Sequence, residues 1–258
     1  MKAVILAGGL GTRLSEESHL RPKPMVEIGN LPIIVHIMKL FAFYGVKDFI
    51  ICAGYKQQMI KEYFAHYFLY TNDITFHTSK NEKTILTNND DDWNVTVVDT
   101  GLNTQTGGRI KRVAKYLDDG PFLLTYGDAV GDVNIDKLIE FHKRSNKLGT
   151  ISVYNFGQSK GVVDINKKGD IAAFREKSDL DGDLINIGFM VMEKEVIDLI
   201  PGDSSPFEDT AIQELVKRKQ LNGYLHNGFW QCMDTINEKK KLEELYMSGN
   251  APWKVWKD

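Results

Sequence analysis

The chain lacks most of what would mark a disulfide-built, membrane or nucleic-acid-binding protein. It has two cysteines in 258 residues. Cys52 and Cys232 are too few for a disulfide framework and too far apart for a CxxC metal motif. Cys52 lies in the apolar run DFIICAG, where a small core residue is expected rather than a nucleophile. No stretch approaches the ~20 apolar residues of a membrane span, so no membrane partner is expected. The opening MKAVILAGG has only AVILA before its glycines and does not read as a secretory signal. Acidic residues outnumber basic ones, 35 to 32, for a net charge of −3 with no basic block. Nucleic acid is therefore not an expected partner. Histidines 19, 36, 66, 77, 142 and 226 are scattered, with no evident Ser-His-Asp or Cys-His arrangement. The reading is a cytoplasmic protein with ordinary globular composition.

What is present is alternation. KAVIL precedes a helical pattern over LPIIVHIMKLFAFYG, followed by the strand DFIICAG. QQMIKEYFAHYFLY places Ile60, Tyr63, Phe64, Tyr67 and Phe68 on one helix face, which reads as core packing. ITFHT and NVTVVDT read as strands, GGRIKRVAKYL as a helix, PFLLTYGD as a strand and NIDKLIEFHKR as a helix. This βαβ order predicts a single α/β unit with a parallel sheet covered on both faces. After about residue 150, closely spaced strands (TISVYNF, GVVDI, IAAFREK, LINIGFMVME) predict a mixed second part, with NKKGD as a hairpin-like turn. No linker composition separates the halves. KNEKTILTNNDDDW reads as a polar loop, and its Asp90-Asp91-Asp92 run as solvated carboxylates rather than a metal site.

LAGGLGTRL, residues 6–14, follows the first strand and reads as a phosphate cradle, since glycine allows close backbone approach to a ligand. It is not a Walker loop, because no Gly-Lys pair is present; the basic residue is Arg13. Nor is it the dinucleotide fingerprint, whose third glycine is replaced by Leu14 and whose ribose-binding acid is missing. In RPKPMVEIG, two prolines are expected to hold Lys23 in an extended segment.

Ligands of open parallel sheets bind beyond the carboxyl ends of the strands. Asp128, at the end of PFLLTYGD, is thus expected to meet the loop Leu6–Arg13 on one sheet edge. A carboxylate facing a phosphate loop suits Mg²⁺, which is held by one or two carboxylates plus substrate phosphates. Asp234, in FWQCMDT, is a second candidate ligand, or alternatively the cap of the helix that follows.

KAVILAGGLGTRL, KPMVEIG, YGD and MDT together resemble the sugar-phosphate nucleotidyltransferases over the length of the chain. The resemblance implies a single Rossmann-like, mixed but mainly parallel sheet flanked by helices. Residues 1–150 would form its nucleotide-binding half and 151–258 its sugar-binding half. It also implies nucleotide contacts from Leu6, Ala7, Gly8, Gly9, Leu10, Gly11, Thr12, Arg13, Lys23, Thr104, Gly108, Arg109 and Gly127. Arg13, Lys23 and Asp128 would be catalytic, and Asp128 and Asp234 would hold Mg²⁺. Glu176, Lys177 and Asn186 would bind the sugar phosphate.

VTVVDTG, TGGRIKRV and the tail APWKVW look most like family members that use CTP, which implies CTP and a sugar 1-phosphate, glucose 1-phosphate, as substrates. Arg109 carries only donors, which would suit the O2 and N3 acceptors of cytosine and oppose uracil. Two departures from the family pattern bear on the choice of sugar: Ser178 follows Glu176-Lys177 in place of a proline, and Ile187 stands in place of a glycine. Competing readings change the nucleotide to UTP or dTTP, change the sugar, or make the chain a silent nucleotide-sugar sensor. The resemblance also implies a homo-oligomer. The two tail tryptophans would either serve an interface, where tryptophan is enriched, or cap their own subunit's core.

Overall fold

The computed structural model describes residues 1–11, 14, 17, 19–89, 91–156, 162–165, 170–175 and 183–256. In chain order the first half runs β1 (Ala3–Ala7), β2 (Glu27–Ile28), β3 (Leu31–Pro32), α1 (Ile33–Phe43), β4 (Asp48–Ala53), α2 (Gln57–Ala65) and α3 (Tyr67–Thr71). It continues through β5 (Ile74–His77), β6 (Glu82–Ile85), β7 (Asn94–Asp99), α4 (Thr106–Val113), β8 (Phe122–Tyr126), β9 (Ala129–Gly131) and α5 (Ile135–Ser145). The second half runs β10 (Gly149–Phe156), β11 (Val162–Ile165), β12 (Ile171–Arg175), β13 (Asp183–Met192), α6 (Ala211–Lys217), β14 (Leu221–His226), β15 (Trp230–Cys232) and α7 (Ile236–Met247).

The central sheet has seven strands in the order β14-β10-β13-β8-β1-β4-β7. β13 is antiparallel to both neighbours, β8 and β10. The other neighbouring pairs are parallel. The expected mixed, mainly parallel Rossmann-like sheet is therefore what forms. Strand alternation sends successive side chains of β1 to opposite faces. Ala3, Ile5 and Ala7 join Ile33, Ile37 and Phe41 of α1 in one core. Val4 and Leu6 join Ile110 and Val113 of α4, with Phe207 and Leu215, in the other. α1 ends at Tyr44 with Gly45 in the left-handed region, φ 80°. The Gly45 and Val46 amides donate to Ala42 O and Phe41 O, closing the helix as a Schellman cap.

Several local expectations are corrected. The aromatic helix is two pieces broken at His66, φ −112°. Of its apolar face only Ile60 is fully buried. Tyr63 and Phe64 pack against the α1-side core while partly exposed; beyond them the aromatics pack on each other, with Tyr63 stacked on Tyr70 at 5.1 Å, and Tyr67 donates to Asp91 at 2.6 Å. The polar segment contains β6, paired with β5 in a hairpin that turns at Asn81, φ 53°. β5 is the expected strand ITFHT, whereas β6 is exposed throughout, so no apolar alternation announced it. Asp91 and Asp92 pair with Lys39 and Lys47. Lys23 opens a 3-10 turn, Lys23–Met25, rather than lying in extended chain. The NKKGD turn falls outside the described residues apart from Asp170.

The tail tryptophan Trp253 is buried, stacked on Phe229 at 5.6 Å. Its indole N–H donates to His36 Nδ1 at 3.3 Å. Ile187 is likewise buried in the α1-side core, whereas Asn186 beside it is exposed. Strand alternation turns the branched side chain away from the asparagine, so Ile187 does not reshape a pocket at Asn186.

Candidate active site

β1 and β8 lie side by side with Leu6 opposite Tyr126. The Gly127 amide extends the pairing by donating to Leu6 O at 3.0 Å. Parallel pairing thus delivers the glycine loop and Asp128 to one sheet edge. Between them is a cavity of about 330 Å³ lined by Leu6, Ala7, Gly8, Gly9, Gly11, Lys23, Pro24, Thr104, Gln105, Thr106, Arg109, Tyr126, Gly127 and Asp128. Gly8 is required by contact: a Cβ there would sit 2.0 Å from Arg109 Nη1.

Asp234 arrives by a separate route. β15 pairs antiparallel with β9, and the Met233 amide donates to Asp128 O at 2.9 Å. The cap of α7 is Thr235, whose side chain accepts from the Glu238 amide in a reciprocal capping box. The alternative role for Asp234 is therefore filled by its neighbour. The Lys23 ammonium donates to Asp128 Oδ2 at 2.7 Å and also to Asp234 Oδ1. Burial pushes this ammonium down, but the charge and hydrogen bond of Asp128, with those of Asp234, hold it above the ordinary lysine value.

Two carboxylates converging on one cationic point form a hard oxygen donor set that fits a magnesium-like ion. Among the described residues no group of three or more His, Cys, Asp or Glu side chains is placed to hold a metal. Substrate phosphates would complete the coordination. Neither cysteine is poised as a thiolate: burial pushes both Cys52 and Cys232 up to about 12.

Arg109 is buried and engaged. Its Nη1 donates to Thr100 Oγ1 at 2.7 Å and Gly101 O at 2.8 Å, and its Nη2 donates to Gly8 O at 3.0 Å and Leu102 O at 3.2 Å. The guanidinium braces the glycine loop against the segment after β7 while lining the cavity. Burial holds its pKa below the ordinary arginine value.

Other expected residues fall elsewhere. Leu10 is exposed at the loop. Gly108 does not line the cavity; a Cβ there would meet Asp203 Cα at 2.5 Å, so its glycine serves helix packing. Asn186, on β13, accepts from the Gly188 amide at 3.0 Å and hydrogen-bonds Tyr126. Thr12, Arg13, Glu176, Lys177 and Ser178 lie outside the described residues. Sequence reasoning missed Gln105, Thr106 and Tyr126 at the cavity wall. Tyr126 stood inside the quoted motif YGD without an assigned role, and the other two adjoin Thr104.

A glycine loop and a lysine-bridged carboxylate pair at the strand ends of such a sheet define a site for nucleotide phosphates. The chain belongs to the nucleotidyl transferase family, whose model matches residues 2–258. It is an enzyme of that class.

Over 257 residues it is 51% identical to glucose-1-phosphate cytidylyltransferase of Salmonella typhimurium, covering 99% of this chain and 100% of that one. It is 32% identical over 258 residues to mannose-1-phosphate guanyltransferase of Yarrowia lipolytica, covering 96% of this chain and 65% of that one. The crystal structure of HddC from Yersinia pseudotuberculosis matches with a TM-score of 0.68 at 23% identity, covering 95% and 99% of the two chains, a likeness of fold.

Proposed function

We propose that this protein transfers the cytidylyl group of CTP to α-D-glucose 1-phosphate, forming CDP-glucose and releasing pyrophosphate. The observation that carries the reading is the convergence of Lys23, Asp128 and Asp234 beside the glycine-loop cavity. The full-length 51% identity to a glucose-1-phosphate cytidylyltransferase supports the choice of nucleotide and sugar.

The attacking phosphate monoester has a second pKa of ~6 and is mostly dianionic at neutral pH, so it needs no general base. The protein's work is alignment and charge stabilisation, as in phosphoryl transfer generally. Backbone amides of Gly8, Gly9 and Gly11 cradle the triphosphate. Arg13 stabilises the departing pyrophosphate, and Lys23 serves as a point charge near the α-phosphate. Nucleotidyltransferases as a class use a divalent metal ion. Asp128 and Asp234 would hold Mg²⁺ here, which supplies charge screening between the two phosphates.

The four Nη hydrogens of Arg109 are taken by Gly8, Thr100, Gly101 and Leu102, so its donor to the base is Nε–H, with Thr104 beside it. Asn186, with Glu176 and Lys177, binds the sugar phosphate. The chain acts in the cytoplasm as a homo-oligomer; among the described residues no helix is long and apolar enough to cross a membrane. The oligomer reading rests on the family resemblance, since Trp253 is used within its own subunit. Pyrophosphate release, measured with CTP, UTP and dTTP against a panel of sugar 1-phosphates and Mg²⁺, tests the reading.

A further inference from the structure

Glu208 stands in the loop before α6, outside every motif quoted from the sequence. Its carboxylate joins two walls of the cavity. Oε1 accepts from the Tyr126 hydroxyl at 2.5 Å, and Oε2 accepts from the Thr106 hydroxyl at 2.7 Å. These lengths are those of charge-assisted O–H···O⁻ bonds. Among the described residues no lysine, arginine or histidine forms an ion pair with Glu208. The carboxylate is half-buried and oriented by two neutral hydroxyls.

From Tyr126 the chain of bonds continues to the sugar side. The Asn186 amide donates to the phenol oxygen, while Asn186 Oδ1 accepts from the Gly188 amide at 3.0 Å. One N–H and one lone pair of the asparagine are thereby set by the protein. The amide's second N–H and second lone pair match a hydroxyl that both donates and accepts. In the other direction, Thr106 Oγ1 accepts from the Phe207 amide at 2.8 Å, fixing the start of α4 beside Thr104 and Gln105.

We infer that Glu208 is a positioning residue: by fixing the Tyr126 phenol it orients Asn186 toward the hexose of the sugar 1-phosphate and ties that end of the site to the start of α4. The inference rests on the proposed sugar-phosphate role of Asn186. An ionised acceptor is what this place needs. It takes both hydroxyl protons, so the phenol oxygen is left as an acceptor for the Asn186 N–H. A glutamine can accept from only one of the two hydroxyls and must donate to the other.

The test compares Glu208→Ala, Glu208→Gln, Tyr126→Phe and the double variant Tyr126→Phe/Glu208→Ala. CTP binding is measured by calorimetry, KM for glucose 1-phosphate by pyrophosphate release, and CDP-glucose affinity by competition. Glu208→Ala and Tyr126→Phe should each raise KM for glucose 1-phosphate about ten-fold and weaken CDP-glucose by a similar factor. In Tyr126→Phe, which keeps the Glu208–Thr106 bond, the CTP dissociation constant should stay within about two-fold, and cooperative thermal melts show that the variants fold. The double variant should be no worse than the worse single one, because both remove the same chain of bonds. Glu208→Gln should fall between wild type and Glu208→Ala. Unchanged KM, parallel losses for CTP and sugar in Tyr126→Phe, or multiplying effects in the double variant would overturn the inference. A wild-type protein that releases no pyrophosphate with any triphosphate and sugar 1-phosphate would instead overturn the functional reading, and the sugar role of Glu208 with it.

Discussion

Lys23 Nζ lies 2.7 Å from Asp128 Oδ2, although 105 residues separate them in the chain. The same ammonium bonds Asp234, which comes from a third region, so one cation holds together three segments at the sheet edge. Without it, two partly buried carboxylates would face each other unscreened. A divalent ion binding between them would meet the ammonium and have to move it. Lys23→Met should therefore lower the stability of the metal-free protein by about 1–3 kcal/mol. It should also tighten Mn²⁺ binding measured without nucleotide, while lowering turnover. Calorimetric Mn²⁺ titration and thermal melts check both effects; weaker Mn²⁺ binding would show that Lys23 helps to hold the ion.

Asp128→Asn and Asp234→Asn should each reduce turnover by several orders of magnitude at saturating Mg²⁺, with thermal melts that retain a cooperative fold. Each removes a formal charge from a group whose role is to bind a cation between two approaching anions. Near wild-type turnover in either variant would remove that residue from the metal site.

Arg109 has two tasks, and substitution should expose both. Arg109→Ala removes donors to Gly8, Thr100, Gly101 and Leu102, so the glycine loop should loosen and the melting temperature fall. It should also narrow the CTP-to-UTP preference by roughly ten- to a hundred-fold, since unpaired polar groups are what reject the wrong base. A lysine, with one point charge in place of a planar fork, should not restore either property. Equal slowing of CTP and UTP would confine Arg109 to its bracing role.

His36 gives the fold a pH dependence. Burial holds the ring down to about 4. Ile28 O lies 2.9 Å from Nε2, and the Trp253 indole donates to Nδ1, so the neutral ring is the form that fits. The folded value lies below the unfolded one. This stability is complete above about 6.5 and is lost as pH falls toward 4, at about 1.4 kcal/mol per pH unit. Unfolding free energy should thus drop by about 2 kcal/mol between pH 6.5 and pH 5, and the drop should shrink in His36→Gln. An equal slope in the variant would place the acid sensitivity elsewhere.

The βαβ order of the first half was legible because its buried strands read as apolar runs between amphipathic helices. The meeting of the glycine loop with Asp128 followed from one rule about strand ends. β5 was legible as the strand ITFHT, but its hairpin partner β6 was not, because its exposed residues Lys83 and Thr84 carry no period that a core would impose. Ile187 was misjudged, and the tail tryptophans were left open between an interface and their own core, for a related reason: which face a residue takes depends on strand register and docking, which composition does not encode. Glu208 was invisible because its partners, Tyr126 and Thr106, are 82 and 102 residues away. Only the packing of α4 against the loop before α6 brings them together.

The most direct test of the account is a ³¹P NMR time course of the purified protein with Mg²⁺, glucose 1-phosphate and one nucleoside triphosphate at a time. With CTP, the triphosphate signals should give way to pyrophosphate and to the paired diphosphate resonances of CDP-glucose, at least ten-fold faster than the corresponding products form from UTP or dTTP. Absence of pyrophosphate with all three triphosphates, or faster consumption of UTP or dTTP than of CTP, would contradict it.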